Sequence, residues 1–200
     1  MARREESSKT TTTEALLGLL SLKPMSGYEI RQMVNSSIGN FWAESYGQIY
    51  PSLRKMVADG LADCRQEQEG GRLPKKIYTL TERGRARLCE WLRMPVMKQV
   101  PRNELLLKTF FAVEGDVRDL RAKLEAQRAK LAEDVVRYEA TVTRISKEHA
   151  GNPGLKFWLM TTRYGLMEAN FVTAWCDECL KALVVEGSIN PVSEPIAEPT

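Results

Sequence analysis

The chain has 200 residues, with 29 Lys+Arg against 26 Asp+Glu, a formal net charge of +3 and 43% hydrophobic residues. That is enough apolar material for an ordinary core in one large or two small domains. No apolar run is long enough to span a bilayer, and the opening MARREESSKTTTTE lacks the apolar stretch of a secretory signal, so a cytoplasmic location is expected.

Residues 1–10 read as a polar, flexible arm in which Arg3, Arg4 and Lys9 face solvent or phosphates. Thr11 and Glu14 have capping-box spacing and predict a first helix with Leu16, Leu17, Leu19 and Leu20 as its apolar stripe, stopped at Pro24. Ser26 and Glu29 repeat that spacing. They open a second helix whose buried face would be Tyr28, Ile30, Met33 and Val34, before a loop at Ser36, Ser37, Gly39 and Asn40. Ser45 and Gln48 form a third such pair. In the helix that follows, Ile49, Leu53, Met56 and Val57 point inward, while Tyr46, Gln48, Tyr50, Arg54 and Lys55 point outward. Pro51 near its start is tolerable in a tight first turn, and Gly60 is the stop signal. A strand over 61–66, a hairpin tip Glu69-Gly70-Gly71-Arg72 and a return strand over 75–80 come next. Thr81-Glu82 opens a fourth helix that runs to about Met94.

The segment from Pro95 to Pro101 reads as a hinge, followed by a short helix, NELLLKTFFAV. A long helix runs from Gly115-Asp116 to about His149. Its apolar positions Val117, Leu124, Leu131, Tyr138 and Ile145 recur every seven residues, beside a drifting row at Leu120, Val135 and Val142. Gly151-Asn152-Pro153-Gly154 breaks it, a last helix spans about Leu155 to Val185, and residues 187–200 read as a disordered tail. Both long helices carry wide apolar stripes that one neighbour cannot bury, which points to oligomerisation.

The expected fold is therefore mainly α with a small β-wing. Residues 1–94 form a winged helix-turn-helix domain with its arm, residues 95–186 a helical dimerisation domain able to sense an effector, and residues 187–200 the tail. Charge distribution agrees: residues 1–94 hold 15 Lys+Arg against 11 Asp+Glu, and residues 95–200 hold 14 against 15. Phosphate binding needs local positive charge on the contacting face. In that reading the helix over 45–59 enters the major groove of double-stranded DNA. Ser45 caps it, Tyr46 and Gln48 reach base edges, and Tyr50, Arg54 and Lys55 meet phosphates. Arg72, Lys75 and Lys76 of the wing, over 66–76, approach the minor groove or backbone. Tyr28 and Tyr50 are equally readable as core residues with polar tips.

Two other readings stand beside this one. Cys176 and Cys179 form a C-x-x-C that a thiol redox enzyme or sensor would use, although they fall deep in a helix rather than at its start. A DNA-free adaptor could use the same head for protein contacts. Phe157, Trp158, Tyr164, Phe171 and Trp175 could line an effector pocket or a dimer core, with Arg163 as a surface charge or an acid-binding group. His149 is the single histidine, so no metal site, cofactor or catalytic residue is assigned and no enzyme is expected.

The runs LLGLLSLKPMSGYEI, SYGQIYPSLRKMVADGL and KKIYTLTERGRARLCEWL resemble the PadR family of bacterial transcriptional regulators. The Gly27-Tyr28 pair, Ile49 to Leu53, Gly60-Leu61 and Tyr78 to Thr81 with Gly84 carry the likeness. TTRYGLMEANFVTAWCDECL is similar to the final helix of the longer members. The resemblance implies a winged helix-turn-helix head, a homodimer formed by an antiparallel helical tail, and repression that a small ligand relieves in some members. It also implies a phosphate contact from Tyr28.

Overall fold

A computed structural model describes residues 2–39, 41–42, 46–68, 74–96 and 102–186. The chain divides into two units, Met1–Lys98 and Gln99–Thr200. The first holds α1 (Ala2–Leu22), β1 (Met25–Ser26), α2 (Gly27–Met33), α3 (Tyr46–Ala58), β2 (Ala62–Glu67), β3 (Lys75–Leu80) and α4 (Glu82–Arg93). Leu16, Leu17 and Leu20 of α1 pack with Met25, Ile30, Ile49, Leu53, Met56, Tyr78 and Leu88 in one core. The strands form an antiparallel sheet in the order β1-β3-β2, with Met25 and Cys64 both opposite Tyr78, and Glu67 opposite Lys75.

Four local expectations change. The first helix begins at Ala2, not at Thr11, because residues 2–10 contain no glycine or proline to stop it. Glu14 is therefore not a capping residue but lies inside the unit, where Arg87 of α4 donates Nε and Nη2 to its Oε1 at 3.1 and 2.9 Å. The expected loop at Ser36 and Ser37 instead continues α2 as a wide π-turn, Val34–Ile38, and both hydroxyls donate back to the Met33 carbonyl. Tyr28 and Val57 are exposed. Two helical positions differ by about 200°, so Tyr28 cannot share the buried side of Ile30. Val57 sits about 80° round from Ile49, at the margin of the stripe.

The joint between α3 and the wing is closed by specific chemistry. Gly60 adopts φ +67, as its stop role requires. Its N–H donates to the Val57 carbonyl at 3.0 Å and the Leu61 N–H to the Met56 carbonyl at 2.8 Å, a Schellman ending. Thr81 Oγ1 accepts from the Gly84 N–H at 3.0 Å, capping α4, and donates to the Gly60 carbonyl at 2.8 Å. A Cβ at Gly84 would stand 2.1 Å from the Leu61 carbonyl oxygen, so the backbones meet only because residue 84 is glycine.

The second unit holds α5 (Glu104–Phe110), α6 (Val117–Glu148) and α7 (Leu155–Glu186). Asp116 caps α6 by accepting from the Arg118 N–H at 2.8 Å. α6 and α7 form an antiparallel hairpin, with Leu120 and Leu124 packed around Cys176, Val172, Trp175 and Leu180, and Arg128 paired to Asp177 at 2.7 Å. Among the described residues, no helix is long and apolar enough to cross a membrane. Of the expected hinge, residues 97–101 lie outside the described residues, as does the 187–200 tail.

Candidate nucleic-acid interface

The site is built on the start of α2. The Ser26 hydroxyl accepts from the Glu29 N–H at 3.2 Å, and Glu29 Oε2 accepts from the Ser26 N–H and O–H, each at 2.7 Å, so this capping box is complete. These bonds, the backbone one foremost, and then Lys75 hold the Glu29 carboxyl down at about 2. Next to the cap, a Cβ at Gly27 would stand 2.4 Å from Tyr50 Cε1. The missing side chain at residue 27 is what lets the Tyr50 ring of α3 lie on the backbone of α2.

Around that contact opens a pocket of about 430 Å³ lined by Ser26, Gly27, Tyr28, Tyr50, Arg54, Pro74, Lys75, Lys76 and Tyr78. α2, α3 and the return strand of the wing thus meet at one concave surface. Tyr28 and Tyr50 are 61% and 48% exposed. Gln32 Nε2 donates to the Tyr28 hydroxyl at 3.0 Å, which leaves the phenol proton free to donate outward. Burial, and after it Cys64, pushes the Tyr78 phenol above its usual range. Lys75 Nζ is 3.1 Å from Glu29 Oε1.

Five of the ten residues named from sequence, Tyr28, Tyr50, Arg54, Lys75 and Lys76, converge here. Gln48 and Lys55 are exposed on α3 but do not line the pocket. Tyr46 begins α3, and its side chain lies outside the described residues, as do Ser45, Arg72 and the side chains of Arg3, Arg4 and Lys9. Sequence reasoning missed Gln32 and the second role of Glu29. Gln32 stands four residues after Tyr28, which is a readable helical neighbour, whereas Lys75 lies 46 residues from Glu29 and left no local trace.

The second unit sorts its aromatics into two sets. Trp158 stacks edge-on to His149 and Trp175 packs within the hairpin, while Phe157, Tyr164 and Phe171 remain exposed. Burial raises the thiols of Cys176 and Cys179, the opposite of the activation that a redox C-x-x-C needs.

A helix with a polar outer face, joined to a two-stranded wing whose basic strand closes on it, defines a winged helix-turn-helix DNA-binding regulator. Residues 16–90 match the transcriptional regulator PadR-like family, and residues 101–184 match the virulence activator alpha C-terminal family. The chain is 31% identical over 171 residues to the negative transcriptional regulator PadR of Bacillus subtilis, covering 83% of this chain and 93% of that protein. It is also similar to the structure of Bacillus subtilis PadR in complex with operator DNA, at 25% identity and a TM-score of 0.77 over 86% of this chain and 96% of that one. The Vibrio cholerae virulence activator AphA matches at 26% identity and 0.67 over 88% and 99%. The chain belongs to the PadR family of transcriptional regulators.

Proposed function

We propose that this regulator is a homodimeric repressor that grips duplex DNA with the pocket between α2, α3 and the wing. The observation that carries it is the convergence of Tyr28, Tyr50, Arg54 and Lys76 on one concave surface. Phenol O–H groups and cations are donors suited to backbone phosphates. Tyr46 and Gln48, at the start of α3, are the candidates for base edges, since Gln can bond adenine bidentately. Repression is favoured by the likeness to a negative regulator. Duplex DNA as the target favours a cytoplasmic location. A small effector belongs to the same proposal: one that weakens DNA binding must bind the DNA-bound dimer more weakly by the same factor.

The test is titration of a labelled duplex against the parent and Arg54→Ala over a salt series. Losing one phosphate contact should flatten the slope of log affinity against log salt by about 0.9. Parent-like binding by the variant at every salt concentration would remove α3 and its pocket from the interface.

A further inference from the structure

Lys75 opens the return strand of the wing, and its ammonium faces a carboxylate already fixed in place. One oxygen of Glu29 is held by two bonds from Ser26, and the other meets Lys75 at 3.1 Å. Both side chains keep access to solvent, at 38% for Glu29 and 49% for Lys75. Glu67, opposite Lys75 in the sheet, is taken by Arg65 at 2.7 Å. Arg54 and Lys76 line the same pocket and have no carboxylate partner among the described residues.

We propose that Glu29 is a specificity-determining residue of the DNA-binding head: it cancels the charge of Lys75, ties the wing to α2, and leaves Arg54 and Lys76 as the phosphate-facing cations of the pocket. The inference rests on the duplex-binding reading and refines it. The Glu29–Lys75 pair is neutral whichever way the lysine points. If Lys75 stays on Glu29, it meets no phosphate. If it turns to a phosphate, it leaves an unpaired carboxylate beside the backbone. In both cases the pair releases no net counterion, and counterion release drives sequence-independent binding. A fixed anion on the binding face thus weakens the grip on every duplex alike, so base contacts from α3 carry a larger share of the affinity.

The experiment measures the affinity of the full chain for a fluorescein-labelled duplex of random sequence, about 30 base pairs long, from about 50 to 200 mM salt. Parent, Glu29→Gln, Lys75→Gln, Lys76→Gln and the Glu29→Gln/Lys75→Gln double variant are compared, with thermal melts to confirm folding. Lys76→Gln should flatten the salt slope by about 0.9, and Lys75→Gln, which leaves the Glu29 carboxylate bare, should flatten it as well. Glu29→Gln should steepen it by about 0.9 and tighten binding about eightfold at 0.1 M salt, while the double variant returns to the parent slope. If Glu29→Gln keeps the parent slope and the double variant is as flat as Lys75→Gln, Lys75 neutralises a phosphate regardless of Glu29 and the proposal is wrong, although the head still binds DNA. A parent with no salt-dependent affinity would overturn the DNA-contact reading of the pocket and the proposal together.

Discussion

Glu29 shows how one side chain joins local folding to the proposed DNA-binding surface. Its carboxyl is held at about 2, first by the Ser26 backbone, then by the Ser26 hydroxyl and Lys75, against 4.5 for an unperturbed glutamate. A folded-state value below the unfolded one means that the unfolded chain binds the proton more readily. The stabilisation is therefore complete above about pH 4.5 and drains away as pH falls toward about 2. Glu29→Gln removes the ionised group, so the parent should melt higher than the variant at neutral pH and the gap should close on acidification through that window. Circular dichroism melts across the range would show it, and a gap that stayed constant would mean that the ionised cap adds nothing. The thiols of the second unit shift the other way. Burial raises both Cys176 and Cys179, with the neighbouring Cys179 and Asp177 adding to the rise at Cys176 and Glu178 to that at Cys179. At neutral pH they are protonated, small and packed, and a protonated thiol is a poor nucleophile.

Two glycines separate the elements that build the fold from those that shape the site. At Gly84 an added methyl meets the Leu61 backbone, which cannot swing away. Gly84→Ala should destabilise by about 2–3 kcal/mol. At Gly27 the obstacle is the ring of a half-exposed tyrosine, which can move. Gly27→Ala should thus melt near the parent and yet bind duplex more weakly, because Tyr50 leaves the pocket wall. Urea unfolding and anisotropy on both variants test the contrast, and equal stability losses would abolish it. Much of this was legible in the sequence, because caps and stops are local signals. Ser26-x-x-Glu29, Gly60, Thr81 and Asp116 all act where their spacing placed them. β1 was not legible, since two residues cannot display a period of two. Thr11-x-x-Glu14 misled because the same spacing, inside a longer helix, turned Glu14 toward Arg87 in α4, 73 residues away. In the site, the pairing of Gly27 with Tyr50 and of Glu29 with Lys75 required knowing which elements touch. The outward face of α3 required only its apolar period.

At the scale of the whole molecule, the exposed side of α7 states what the protein still has to cover. Phe157, Met160, Tyr164, Met167 and Phe171 lie on one seam at alternating spacings of three and four, and each is 56–72% exposed. That spacing is the one by which helices pair along a coiled-coil stripe. Scaled to their exposure, burying them is worth about 1–2 kcal/mol apiece. Ten such side chains across a two-fold interface reach the range of the ~4–15 kcal/mol that association costs. In the proposed homodimer a second copy presents the same stripe, and two copies would carry two reading heads. Joining two heads makes the second contact intramolecular, at an effective concentration in the millimolar range. Met160→Glu/Met167→Glu places charge in the seam without touching the hairpin core of Leu124 and Cys176. The variant should keep its helical signal and sediment as a monomer where the parent sediments as a dimer. It should also bind a two-fold site, selected from a genomic DNA pool, roughly 100-fold or more weakly. Sedimentation of the parent as a monomer at micromolar concentration would rule out the dimer, and a variant that stays dimeric would move the interface off this face of α7.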